Sequence, residues 1–199
     1  MTLAKLVFED LAERTASDAP TPGGGSIACL AGALGVALVQ MALEVTRKSA
    51  STPELDAEVR TLAELRAELA RLADRDVAAF EGYMAALGLP KASDDEKATR
   101  KAALGRAALA AADVPLRAAE SLASALTRAE NAARLTKRSV LSDVLAGADL
   151  LRGATAAALR NVDINLPQIP EAERAPVAAK RAEIDEQAQA AYARVVAFK

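Results

Sequence analysis

Proton chemistry near neutral pH falls to carboxylates, amines, one thiol and two phenols in this chain, because none of its 199 residues is a histidine. Imidazole acid and base catalysis, Ser-His-Asp and Cys-His nucleophiles and histidine-bearing zinc sites are ruled out or strongly disfavoured. Asp76 is the most informative carboxylate. Leu55, Val59, Leu62, Leu65, Leu69, Leu72, Phe80, Tyr83 and Leu87 recur at steps of three and four, and Asp76 fills the one gap in that row. Asp74, rotated about 200° from it on the same helix, points elsewhere. A carboxylate on an apolar stripe is costly unless it is paired or hydrogen-bonded, and burial raises its pKa. Two readings of Asp76 stand: an ion pair with a cation of a neighbouring helix, or a group that holds and releases a proton. Asp143 lies in the first turn of a later helix, where the helix dipole by itself accounts for an acid.

The elements that must position these groups are organised around residues 21–48. Thr21-Pro22-Gly23-Gly24-Gly25-Ser26 reads as a tight loop delivering a helix N-terminus, with Ser26 or Gly25 as its cap. Backbone N–H groups of Gly23 to Ser26 suit an anion there, and close packing at the start of a helix accounts equally well for the glycines. No GK[ST] follows, so the loop is not a nucleotide-binding one. From Ile27 to Leu43 the helix is apolar on every face, with small residues at Ala28, Gly32 and Gly35 for close approach of another backbone. The run is short for a membrane span, and no second candidate exists, so burial in a bundle or a subunit interface is expected.

Apolar residues make up 52% of the chain and aromatic ones 3%, with alanine and leucine dominant, a helical composition for one domain over residues 1–199. Basic and acidic residues number 25 and 27 and are interspersed, which leaves no footprint for nucleic acid. The single cysteine, Cys29, falls inside the apolar helix and reads as an inert buried thiol. Met1 to Arg14 reads as an amphipathic helix capped by Thr2, with Leu3, Leu6, Val7 and Leu11 packed inward, rather than as a signal peptide. A cytoplasmic location is the expectation.

Thr52-Pro53-Glu54 opens the long helix that carries Asp76, and Gly88-Leu89-Pro90 ends it. Ser93 to Glu96 forms a capping box for a helix that Pro115 is expected to kink or break. Ser139 to about Val162 forms the next helix, with Val144, Ala148, Leu151, Thr155, Leu159 and Val162 inward. A second, small-residue stripe holds Asp143, Gly147, Leu150, Ala154, Ala157 and Asn161. A final helix runs from Pro170 to about Phe198. No strand signal appears, and the predicted fold is all-α, an up-and-down bundle around a central small-residue-rich apolar helix.

Pro22 to Ser26, Asp74-Arg75-Asp76-Val77-Ala78-Ala79-Phe80, Ser142-Asp143 and Asn161 to Leu166, in that order, resemble the cyclodeaminase/cyclohydrolase family. That family includes methenyltetrahydrofolate cyclohydrolases and the cyclodeaminase part of formiminotransferase-cyclodeaminase. The resemblance implies an all-helical homodimer that binds a tetrahydrofolate derivative as substrate in a cleft between helices, with no metal and no permanently bound cofactor. The implied reaction is hydrolysis of 5,10-methenyltetrahydrofolate to 10-formyltetrahydrofolate, or else release of ammonia from formimidoyltetrahydrofolate. A non-catalytic folate binder or scaffold is a further alternative. By the same resemblance Asp76, Asp143 and Asp74, in that order, are the catalytic candidates. Pro22, Gly23, Gly24, Gly25, Ser26, Lys48, Ser142 and Asn161 would bind substrate, the glycine loop and Lys48 taking its anionic tail. Two polar stretches, Thr46 to Ala50 and Thr136 to Ser139, depart from the family's usual residues.

Overall fold

A computed structural model describes residues 2–198. Among them are six α-helices and no strand: α1 (Phe8–Thr15), α2 (Gly24–Arg47), α3 (Pro53–Leu87), α4 (Asp94–Leu135), α5 (Leu141–Asn165) and α6 (Glu171–Val196), with single 3₁₀ turns at Leu3–Lys5, Arg138–Val140 and Leu166–Gln168. α2 packs between α3 and α5, α4 closes the bundle against α3 and α5, and α6 covers α4 and α5. Most of the predicted core is buried, namely Leu55, Val59, Leu62, Leu69 and Leu72 of α3 and Val144, Ala148, Leu151, Thr155, Leu159 and Val162 of α5. Of the same α3 row Leu65, Phe80 and Tyr83 are only half-buried and Leu87 is exposed, the last three because the row runs out of the bundle toward the end of α3. Thr52 accepts from the Leu55 amide to start α3, and Ser93 and Glu96 form the expected capping box of α4.

The close approach of α2 and α5 rests on two glycines. A Cβ on Gly147 would stand 2.8 Å from both the Gly35 carbonyl and Val39 Cγ2, whereas one on Gly153 would meet nothing within 4 Å. Gly147→Ala is therefore expected to destabilise the fold by about 1–3 kcal/mol through overpacking. Gly153→Ala, the control, is expected to be neutral or to stabilise by up to about 1 kcal/mol through helix propensity. Thermal melts of the two variants read the difference directly, and equal melting temperatures would contradict the packing.

Two expectations need correction. The N-terminal segment is not one packed helix: Leu3–Lys5 forms a 3₁₀ turn, Leu6 and Val7 are extended, and α1 buries none of its residues. Val7 and Phe8 stand 68% and 81% exposed. Helices this short are marginal without tertiary support, and what the segment gains is an anchor, the Leu3 amide donating to Asp74 Oδ1 at 2.8 Å. Thr2 makes no side-chain cap.

Secondly, Pro115 does not break α4, which continues through it. Proline removes the N–H that would bond the carbonyl four residues back. That carbonyl belongs to Ala111, and the Asn165 side chain, arriving from α5, donates to it at 3.0 Å. Of the two settings expected for α2, the bundle supplies cover for only part of the helix. Ile27, Leu30, Leu34, Leu38 and Met41 line a face that is half-buried or open, with Leu34 64% exposed. α2 is long and apolar enough to cross a membrane, and half of its most apolar window is buried inside the bundle.

Candidate functional site

The start of α2 lacks a cap of its own. Gly23 is its N-cap residue and offers no side chain, and Ser26 does not cap the helix either. The carboxylate of Asp76, reaching across from α3, takes that place: the Ser26 hydroxyl donates to Asp76 Oδ2 at 2.8 Å, and the Ser26 amide donates to the same carboxylate. A negative charge at a helix N-terminus also meets the positive end of the macrodipole. Gly25 makes this contact feasible, since a Cβ there would stand 2.3 Å from Asp76 Oδ1.

Among the described residues no basic side chain acts on Asp76, so the ion-pair reading fails there and its partner is the neutral Ser26. Burial lifts its pKa above the usual 3.8, and the two Ser26 hydrogen bonds only partly offset that rise. The native state thus holds this proton more tightly than the unfolded chain does. The resulting stability is full below 3.8 and is lost as pH climbs through the raised native value. Asp76→Asn, neutral at every pH, should accordingly gain stability relative to the wild type as pH rises from about 4 to about 7. A melting-temperature difference that stays constant across that range would contradict the burial of the charge.

Around this carboxylate lies a cleft of about 410 Å³. Pro20, Thr21 and Gly23–Gly25 line it from the loop and the start of α2, Asp76, Phe80 and Tyr83 from α3, and Asn161, Ile164 and Asn165 from α5, together with Ala111 and Gln168. Asn161 lies against Gly24, its Nδ2 donating to the Ala157 carbonyl at 2.9 Å, so its Oδ1 is left to accept. Pro22 is buried beneath the loop, after a cis Thr21–Pro22 peptide. The cleft combines an aromatic and aliphatic lining for a flat ring system with one carboxylate at its inner wall.

Asp76, Pro22, Gly23, Gly24, Gly25, Ser26 and Asn161 therefore come together, while Lys48, Ser142 and Asp143 do not join them. Asp143 sits in the first turn of α5, 18 residues before Asn161, or about 27 Å along the helix. Lys48 lies beyond the opposite end of α2. Asp74 is engaged with the Leu3 amide outside the cleft. The two stretches that depart from the family pattern meet at the far end, where Thr46 Oγ1 lies 3.2 Å from Thr136 Oγ1 and accepts from the Lys137 amide at 3.0 Å. Cys29 is buried, and its thiol is pushed up to about 12, first by burial and then by the Asp76 charge, which suits an inert role.

Phe80, Tyr83 and Asn165 were not anticipated as site residues. Each had a signal: the aromatics stand four and seven residues after Asp76 on its own stripe, and Asn165 lies one turn beyond Asn161.

Comparison with known proteins adds a lineage to this geometry. Residues 7–186 match the profile of the formiminotransferase-cyclodeaminase family. A methenyltetrahydrofolate cyclohydrolase from Methylorubrum extorquens is 37% identical over 163 residues, covering 80% of this chain and 76% of that protein. The formimidoyltransferase-cyclodeaminase of Sus scrofa is 34% identical over 78% of this chain, which spans 29% of that longer protein. A solved structure of formiminotetrahydrofolate cyclodeaminase from Thermotoga maritima superposes with a TM-score of 0.83 at 30% identity, covering 96% of this chain and 94% of the other. With a family profile matching residues 7–186, a relative 37% identical over 80% of the chain and a shared fold, the chain belongs to the cyclodeaminase/cyclohydrolase family.

Proposed function

We propose that this protein hydrolyses 5,10-methenyltetrahydrofolate to 10-formyltetrahydrofolate, with Asp76 moving the proton. The observation that carries the reading is a half-buried carboxylate, held by Ser26 and without a cationic partner among the described residues, in the lining of a cleft sized for a ring system. The methenyl bridge is a delocalised cation, and an ionised carboxylate beside it stabilises that charge. Water adds to the bridge carbon as Asp76 accepts one of its protons. The carbon–N5 bond then breaks as the same carboxyl returns that proton to N5. The second proton of the water leaves to solvent when the formyl carbonyl forms, so the cation yields a neutral product and one proton. Asp76 serves both steps because burial keeps its carboxyl above the ordinary aspartate range.

A second reading, ring closure of formimidoyltetrahydrofolate with release of ammonia, is favoured by the likeness to the Thermotoga maritima cyclodeaminase. Product analysis separates the two. Incubation with the methenyl substrate is expected to yield the 10-formyl product, and incubation with the formimidoyl substrate to release no ammonia above background; the reverse pattern would install the second reading.

We further propose a homodimer, in the cytoplasm and without membrane or nucleic-acid partners. Its support is the open apolar face of α2, continued by the exposed Leu150 of α5. A two-fold axis at Leu34 with helices antiparallel sets Met41 against Ile27 of the other copy and turns the C-terminal end of each α2 toward the glycine-loop end of the other. The remote Lys48, Ser142 and Asp143 would then approach the mate's cleft, which explains how residues at opposite ends of one chain belong to one site. Leu34→Arg is expected to give monomers by sedimentation and to lower turnover at least about tenfold, the loss expected when groups fall out of position. A monomeric variant with full turnover would contradict the shared site.

A further inference from the structure

Two asparagines of α5 line the cleft with their amides already oriented. Asn165 Nδ2 donates to the Ala111 carbonyl at 3.0 Å and to the Asn161 carbonyl at 2.8 Å, so both of its hydrogens are spent inside the protein. Asn161 Nδ2 spends one of its two on the Ala157 carbonyl at 2.9 Å. Every one of these partners is a carbonyl oxygen, which only an N–H can meet, so neither amide can be turned over. The acceptors are left. Neither Oδ1 receives a hydrogen bond from the described residues, and neither is sealed from solvent, unlike the unpartnered Glu58 Oε2 and Arg152 Nη1.

The orientation of Asn165 is imposed from α4, where Pro115 leaves the Ala111 carbonyl without its helical donor. Its placement follows from the bundle. α2 packs between α3 and α5, so the Asp76 carboxylate and the two asparagines reach the first turn of α2 from different sides. Gly25 lies under Asp76, and Gly24, about 100° round the helix from it, lies against Asn161.

We propose that Asn165, together with Asn161, selects the substrate by accepting both hydrogens of the exocyclic 2-amino group of its pterin ring. The assignment rests on the folate reading of the cleft. That ring carries N–H donors at N3, at N8 and on the 2-amino group, and the last is the farthest from N5, where the reacting bridge is attached and Asp76 acts. The two acceptor residues stand one turn apart, about 6 Å along α5. An amine that donates both hydrogens at about 2.9 Å needs oxygens about 5 Å apart, a separation that side chains at this spacing reach. A ring bearing a carbonyl at position 2 would instead set oxygen against oxygen and leave both acceptors unpaired.

The test compares 5,10-methenyltetrahydrofolate with its 2-oxo counterpart, which differs in that one group, in the wild type and in Asn165→Leu. The wild type is expected to show a KM about 10²-fold lower for the amino form, the scale on which a site built to hydrogen-bond a group rejects an analogue that lacks it. Asn165→Leu should cut that ratio at least about tenfold, chiefly by raising KM for the amino form, because the contact belongs to ring binding rather than to the reacting bridge. A purely structural role for Asn165 would weaken both substrates alike and leave the ratio unchanged. Asn165→Leu also orphans the Ala111 carbonyl, so it is repeated together with Pro115→Ala, whose restored backbone N–H supplies that carbonyl. The double variant should melt no lower than the single one and keep the reduced ratio. A wild-type ratio below about ten, or a ratio in the folded variants that falls by less than about tenfold, would overturn the assignment. Should the methenyl forms not turn over, the hydrolytic reading fails separately. Calorimetric binding of tetrahydrofolate and its 2-oxo counterpart then decides the asparagines by the same two ratios, and absence of a preference for the amino form in the wild type overturns their role.

Discussion

Asp76→Asn should lower turnover of 5,10-methenyltetrahydrofolate by about 10²- to 10⁴-fold, the range over which a positioned acid or base contributes, while leaving the helical bundle intact. The substitution keeps the shape of the side chain and an acceptor for the Ser26 hydroxyl, which donates to Asp76 at 2.8 Å in the native site. It removes the charge that faces the methenyl cation and the group that carries a proton from water to N5. Both losses fall on the transition state rather than on ring binding, so kcat should drop more than KM rises. Far-ultraviolet circular dichroism and a thermal melt establish that the variant is folded, and stopped-flow absorbance of the methenyl chromophore measures its rate. A folded variant with wild-type kcat would remove Asp76 from the chemistry.

Gly25→Ala should be nearly as damaging, although it changes no functional group. The new Cβ would stand 2.3 Å from Asp76 Oδ1 and 2.7 Å from both Cγ and Oδ2. These are separations that side chains do not sustain, so either the carboxylate swings off the α2 N-terminus or α3 moves away from α2. In the first case Asp76 loses both Ser26 hydrogen bonds and its aim at the cleft, and a misplacement on the order of 1 Å costs about 10²-fold in rate. In the second the bundle loses about 1–3 kcal/mol to overpacking. The neighbouring Gly24→Ala is the control, because its Cβ would make ordinary contacts with the Asn161 amide, Nδ2 at 3.4 Å and Oδ1 at 3.9 Å. Turnover and melting temperature measured on both variants check the contrast, and equal behaviour of the two would contradict the close packing of Asp76 against Gly25.

Much of this was legible in the chain before its fold was known. The leucine row from Leu55 to Leu72 sets the rotation of α3, and that rotation turns Asp76 inward; a periodic helix needs no tertiary information to do this. The capping box at Ser93 and the cap at Thr52 are local and equally plain. What stayed hidden depends on partners distant in sequence. Pro115 looks like a break because the donor that satisfies the Ala111 carbonyl is Asn165, 54 residues away. The N-terminal segment looks like a packed helix because nothing local reveals that Asp74 holds the Leu3 amide. Asp143 and Lys48 look like companions of Asp76 because order along a chain does not disclose which end of an antiparallel pair a residue occupies. The open face of α2 was hidden for another reason, since an all-apolar helix carries no polar stripe to say which side is left uncovered.

The cleft and its one carboxylate are assigned to chemistry on the folate one-carbon bridge. The most direct measurement is the decay of methenyl absorbance at neutral pH in the presence of increasing protein, against the spontaneous rate in the same buffer. Acceleration that is proportional to protein and saturates with substrate is expected. Decay at the spontaneous rate at every protein concentration, with intact folded protein in the cuvette, would contradict it.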